Sequence, residues 1–256
     1  DYDFYQRLKR GDLNKDFEDI KKNYSFEELR KGGTVIWAIE DYSNLLKSAF
    51  ENNDFHSVLI YIAVLAHYIE DIHQPLHATE NYDGQLTGNT GIHLRYEIFM
   101  MNGFWKEPSL KKIDKLSAMK MEDIRGFTIS IIEDSLKQVP VLLDADTKAK
   151  KVDNRFSNEY YKILWEETKE VTESRTNTAV ENFATLIYSI WVESGKPEFP
   201  DKENFSVPYN LEIERVVFFN DDKTESTAKT RKDEKFSLLY SILTIAIFYA
   251  LIKIAK

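Results

Sequence analysis

HYIEDIHQPLHATENYDGQLTGNTGIHLRYE, residues 67 to 97, is the stretch on which the reading of this chain turns. It contains four of the five histidines in 256 residues. His67 and Asp71 stand four apart, so on a helix turning about 100° per residue they share one face. His93 and Glu97 repeat that spacing. Between the two pairs, Pro75 should end the first helix, because proline has no amide hydrogen and clashes with the preceding turn. The chain then turns sharply enough to bring His77 back toward either pair. Imidazoles and carboxylates that converge in this way suit a zinc ion, which takes nitrogen and oxygen ligands in four- or five-coordinate geometry.

A single His/Asp or His/Glu pair four apart is common on solvated helices and carries little weight alone. The clustering is what points to a metal, since five ligand-type residues (His67, Asp71, His77, His93 and Glu97) bracket one proline turn and one polar loop. His73 lies two residues beyond Asp71, on another face, and reads as exposed or hydrogen-bonded. His56 lies about three turns before His67, roughly 16 Å away at 1.5 Å per residue, too far to share the ion.

The segment resembles the signature of the zinc-dependent phospholipase C family and its relatives, the single-strand-specific zinc nucleases. H-x3-D-x5-H reads here as His67, Asp71, His77, and H-x3-E as His93, Glu97. The Gln74-Pro75-Leu76-His77 turn is also close to the family's wording. The second word, with Glu97 and the preceding Arg95-Tyr96, leans toward the phospholipases. Asp83-Gly84 and Gly88-Asn89 are similar to the glycine-asparagine loop of the nucleases. GTVIWAIEDY (33–42) and ENFATLIYSIWVESGKP (181–197) look like core helices of the same fold.

The resemblance implies three zinc ions. His77, His93 and Glu97 match the complete protein ligand set of one. His67 and Asp71 match half the set of a second, with Asp71 bridging to the third. The family's other ligands are an N-terminal tryptophan, two histidines and an aspartate, all upstream. This chain begins at Asp1 and has no histidine before His56. It is therefore expected to lack the first several dozen residues of its family, the general base among them, or to have lost those sites.

A length of 256 residues fits a domain of about 200 plus an appendage, ample for a sizeable core. The net charge of −9 argues against a broad basic footprint for nucleic acid, though bound zinc would supply local positive charge. With no cysteine, disulfides and thiolate ligands are excluded. No GxGxxG, P-loop or GxSxG motif is present.

Residues 1–31 read as short helices and loops, with Ser25 and Glu28 as a capping box. A helix is expected over 34–51, where Ile36, Ile39, Leu46 and Ala49 share a face. The helix over 54–72 is almost wholly apolar in its middle (SVLIYIAVLA), as befits the buried centre of a bundle. Buried carboxylates are costly unless paired or metal-bound, so a buried helix ending in His67 and Asp71 is informative. Tyr68 and Tyr82 are candidates for the substrate side. Further helices are expected over 109–118, 121–138, 155–171 and 173–194, the last stopping at Gly195 with Pro197 beyond.

Residues 201–235 read as an extended segment (Val216 to Phe219) and a charged linker. Phe236 to Ile252 is a run of seventeen uncharged, mostly apolar residues, about 26 Å long as a helix and a little short of a hydrocarbon core. The span 236–254 is read as a membrane helix, with Lys253 and Lys256 beyond the apolar run placing the C-terminus inside and the enzyme domain outside. The whole is a mostly α, multi-helix bundle with a C-terminal hydrophobic helix. The expected chemistry, on the resemblance, is phosphodiester hydrolysis by metal-activated water. Its substrate is a phospholipid or single-stranded nucleic acid, and nothing points to a protein partner. A non-catalytic zinc-binding protein is the remaining alternative.

Overall fold

Asp54 opens the helix that organises the molecule by accepting a hydrogen bond from the Ser57 amide at 3.2 Å. This helix, α5 (Phe55–His73), is the fifth in a computed structural model that describes residues 2–13, 17–105, 113 and 116–200. It follows α1 (Tyr2–Arg10), α2 (Phe17–Asn23), α3 (Phe26–Gly32) and α4 (Val35–Glu51). By length and composition α5 could cross a membrane. Here its Val58, Leu65, Ile69 and Ile72 are instead buried among protein side chains, so it serves as the core helix its sequence suggested. The expected capping box starts α3, with the Ser25 amide donating to Glu28 Oε2 at 2.7 Å.

Pro75 ends α5 as expected. Gln74 is pushed into extended backbone, and residues Pro75–Ala78 form a single 3-10 turn. The polar loop that follows leads into α6 (Ile92–Leu94), which continues through a π-helical segment, Arg95–Met100, into α7 (Met101–Phe104). Then come a 3-10 turn (Met121–Asp123), α8 (Ile124–Leu136), α9 (Val139–Val152) and α10 (Asn158–Glu193). The described residues contain no strand.

Three expectations differ from the structure. The helix expected over 109–118 falls largely outside the described residues, and the described part, 113 and 116–118, is not helical. Helix α9 was not anticipated. Its Pro140 sits in the first turn, where a missing amide hydrogen costs nothing. The two helices expected over 155–171 and 173–194 are one helix of 36 residues. In its polar middle Thr168, Thr172 and Thr176 each donate a hydroxyl to the carbonyl four residues back, at 2.7, 2.9 and 2.9 Å, so their polar groups are satisfied within the helix. Gly195, with φ of 82°, supplies the left-handed turn past its end. The expected linker (201–235) and C-terminal apolar helix (236–254) lie outside the described residues.

Two apolar clusters result. The larger gathers α1 to α5, α8 and the last turns of α10 around Trp37, Leu46, Leu65 and Leu186. The smaller packs Leu76, Ile92, Tyr96 and Met100 against Leu142 and Ala145 of α9 and Tyr160 and Leu164 of α10. The proline turn lies at their seam.

Candidate metal centre

At that seam the structure brings three donors together. His77 Nε2 and His93 Nε2 are 3.1 Å apart, His93 Nε2 and Glu97 Oε2 2.8 Å, and His77 Nε2 and Glu97 Oε2 3.6 Å. A tetrahedral zinc with bonds of about 2.0–2.1 Å separates neighbouring ligand atoms by about 3.3 Å. The three distances straddle that value, so the donor triangle has the size the ion needs. Among the described residues these are the only three or more His, Cys, Asp or Glu donors that converge within 4.8 Å of one another. Their side chains keep between 23 and 37% of their surface exposed, which leaves an approach for a further ligand.

His67 and Asp71 share one face of α5 as the spacing predicted, with Nε2 and Oδ2 3.7 Å apart. They meet the triangle through its far side, where Asp71 Oδ1 lies 3.3 Å from His77 Nδ1. A carboxylate on that nitrogen fixes the ring and would hold the proton on Nδ1 when a metal takes Nε2. Burial alone would lower the His77 pKa, but hydrogen bonds to Asp71 and Glu97 outweigh it and push the ring up to about 9. Burial opposes ionisation of Glu97 too, yet hydrogen bonds from His77 and His93 hold it well below the usual carboxylate range.

Gln74 aims Glu97. Its Oε1 accepts from the Leu76 amide at 2.8 Å, which turns Nε2 to donate to Glu97 Oε2 at 3.2 Å. His73 stays out of the centre. It is 3% exposed, its Nδ1 lies 2.6 Å from the Ile69 carbonyl, and Asn182 Nδ2 lies 2.9 Å from Nε2. The hydrogen-bonded role read for it holds; exposure does not.

The loop 80–91 is tied down by its own side chains. Asp83 Oδ2 accepts from the Gly91 amide at 3.0 Å and Oδ1 from the His93 amide at 3.4 Å, capping the helix that carries His93. Gly84 must be glycine, since a Cβ there would sit 2.5 Å from Asn89 Cβ at φ of 74°. Arg95 and Tyr96, flanked by His93 and Glu97, face inward. Arg95 donates through Nη2 to Asp146 Oδ1 at 2.7 Å and through Nε to Tyr160 at 2.8 Å. Asp146, fully buried, also takes Asn89 Nδ2 at 2.7 Å and Lys150 Nζ at 2.6 Å, and Tyr160 donates to it as well. The Tyr96 hydroxyl pairs with Thr172 at 2.8 Å. The basic-aromatic pair therefore holds the scaffold together and offers nothing to a lipid head group. Asp146 carries no motif that a reader of the sequence could have used. Gln74 does, as part of the quoted proline turn.

A cleft of about 700 Å³ opens on one side of His77 and His93, walled by Phe4 and Arg7 of α1, by Tyr24 and by Tyr82 of the loop. Tyr82 is 54% exposed and meets the His93 ring edge-on at 6.1 Å. Tyr68 instead packs on Tyr42 at 5.9 Å, against the larger core.

The family model described as S1/P1 Nuclease matches residues 11–218. The chain belongs to the S1/P1 nuclease family. That places it in the superfamily of zinc-dependent phospholipases C and nucleases, as the resemblance implied, and on the nuclease branch. The S1/P1 match gives the phospholipase reading no specific support. Among curated proteins, Endonuclease 3 of Arabidopsis thaliana is 40% identical over 80 residues, covering 29% of this chain and 26% of that protein. The chain thus matches about a quarter of that relative's length. No solved structure matches it.

Proposed function

We propose that this S1/P1 nuclease family chain hydrolyses phosphodiester bonds of single-stranded nucleic acid, with His77, His93 and Glu97 holding one zinc ion. The observation that carries this reading is the donor triangle, whose edges suit zinc and whose open side faces a cleft. A bound zinc ion supplies Lewis acidity, lowering the pKa of water beside it and drawing charge from phosphoryl oxygens. The residues of the chain do the positioning. Asp71 holds the His77 proton on Nδ1, and Gln74 fixes the Glu97 carboxylate. His67 and the outer oxygen of Asp71 offer two donors toward a second ion. Tyr82 offers an exposed aromatic face at the cleft mouth, suited to an unpaired base. The apolar run 236–252 would tether this domain to a membrane, a reading that rests on composition alone.

Elemental analysis of the purified chain tests the centre. At least one tightly held zinc is expected, and His93→Ala should remove it while leaving the helical circular dichroism intact. A chain that takes up no zinc overturns the proposal. Hydrolysis of phosphatidylcholine in preference to single-stranded DNA by the zinc-loaded chain would move it to the phospholipase branch.

A further inference from the structure

Arg7 stands in the cleft wall. Helix α1 carries three basic residues in its last turn. Lys9 pairs with Glu133 at 2.5 Å and Arg10 with Asp12 at 2.9 Å. Arg7 has no carboxylate partner among the described residues. Its Nη2 donates to the Tyr24 hydroxyl at 2.6 Å, and its guanidinium lies 5.2 Å from the centre of the Tyr24 ring and 6.0 Å from that of Phe4. Two acidic residues, Glu28 and Glu80, also line the cleft, and Glu28 is already engaged, its Oε2 accepting from both the amide and the hydroxyl of Ser25 at 2.7 Å. Lys31, also in the wall, pairs with Glu27 at 2.8 Å.

A half-buried guanidinium resting on two rings is already ordered, and a guanidinium has five N–H donors. The wall that holds it is closely packed. Phe4 lies so close to α3 that a Cβ at Gly32 would come within 2.6 Å of its ring, and Phe4 also meets Tyr24 and Trp37 at 5.2 and 6.3 Å. The cleft it lines is lined by His77 and His93 as well. Arg7 also lies before residue 11, outside the residues the family model matches.

We propose that Arg7 is a specificity-determining residue that binds a phosphate flanking the scissile one, in a single-stranded nucleic acid lying along the cleft. This rests on the hydrolase reading above. The repeat of the ligand is what selects nucleic acid. A phosphatidylcholine molecule has a single phosphodiester, which the metal centre would take, whereas a polynucleotide presents a second phosphate to a second, fixed cation. Guanidinium recognises phosphate oxygens in bidentate fashion, and removing it should cost binding without touching the metal ligands.

The test uses the full chain in EDTA, where no zinc-dependent cleavage occurs. Binding of a fluorescein-labelled oligothymidylate of five nucleotides is followed by anisotropy against salt. Each phosphate contact on a single strand contributes about 0.7 to the slope of log K against log salt. Arg7→Gln should weaken binding several-fold and flatten the slope by about that amount. Arg7→Lys, which keeps the charge, should restore most of the slope. With zinc restored, Arg7→Gln should raise KM for the oligonucleotide while leaving kcat and the cleavage of a dinucleoside monophosphate, which has no flanking phosphate, unchanged. Circular dichroism melting of the variants checks that α1 remains docked. An unaltered slope overturns the proposal, as does failure of the unaltered chain to bind the oligonucleotide, or its binding phosphatidylcholine vesicles instead. A chain that binds no zinc but loses slope in Arg7→Gln would sink the hydrolase reading and keep the anion site. A chain that holds zinc and shows no change would do the reverse.

Discussion

His73 and His77 stand on either side of one proline and take opposite charge states. Burial is the largest influence on His73, and the positive charge of Arg175 adds to it, pushing its pKa down to about 3. An unfolded histidine titrates near 6.5, so below that pH the unfolded chain gains a proton that folded His73 refuses. Folding stability from this group is complete above about pH 6.5 and falls toward pH 3, at up to about 1.4 kcal/mol per unit. His77 has the opposite sign in the metal-free chain. Its pKa, raised to about 9, gives stability that is complete below about 6.5 and lost as pH rises through 9. Urea unfolding in EDTA should therefore show two limbs, with His73→Gln flattening the acid limb and His77→Gln the alkaline one. Unchanged limbs in both variants would refute these assignments. The sequence separates the two histidines correctly because Pro75 lies between them and sends only His77 back. That His73 is buried could not be read, since its cover, Asn182, lies 109 residues on.

At the scale of elements, the π-helical segment Arg95–Met100 matters most. It holds Arg95 and Tyr96 inward, while His93 just before it lines the cleft and Glu97 meets the two histidines. Arg95 meets a fully buried Asp146, and removing one partner of such a pair leaves an uncompensated charge that costs about 3–5 kcal/mol. Asp146→Asn should lower the urea midpoint by a corresponding amount and also weaken zinc binding, about tenfold or more, because the ligands on either side of Arg95 lose their support. A stable variant with unaltered zinc affinity would show that the ion pair is dispensable. Helix α5 was legible from its apolar run and its proline stop. Helix α9 was not, because Pro140 mimics a break. The single α10 was hidden by a polar middle whose threonines fold their hydroxyls back onto the helix, a local hydrogen-bonding choice that periodicity does not report.

Across the whole molecule, the centre bridges two apolar clusters, with Asp71 on a helix of the larger and His93 and Glu97 on a segment of the smaller. Zinc bound there should stabilise both together. At a hundredfold excess over its dissociation constant, the ion adds about 2.7 kcal/mol. For a domain of this size that is a rise in melting temperature of roughly 5–11 °C. Calorimetry with and without EDTA should show that shift in a single transition. Two transitions, only one of them responsive to zinc, would mean that the clusters unfold separately. The convergence of His77, His93 and Glu97 was legible because they lie within one stretch of 31 residues. The supports of that stretch were not, because Asp146, Tyr160 and Arg175 reach it only through the tertiary fold.

That separation gives the centre a history during synthesis. Asp146 follows Arg95 by 51 residues, so at roughly 5–20 residues per second it emerges about 3–10 s later. For that interval the nascent chain displays His77, His93 and Glu97 while the Arg95 guanidinium has no Asp146 beside it. A metal caught then would meet a loose chelator, which tightens as Asp146 of α9 and Tyr160 of α10 close on Arg95.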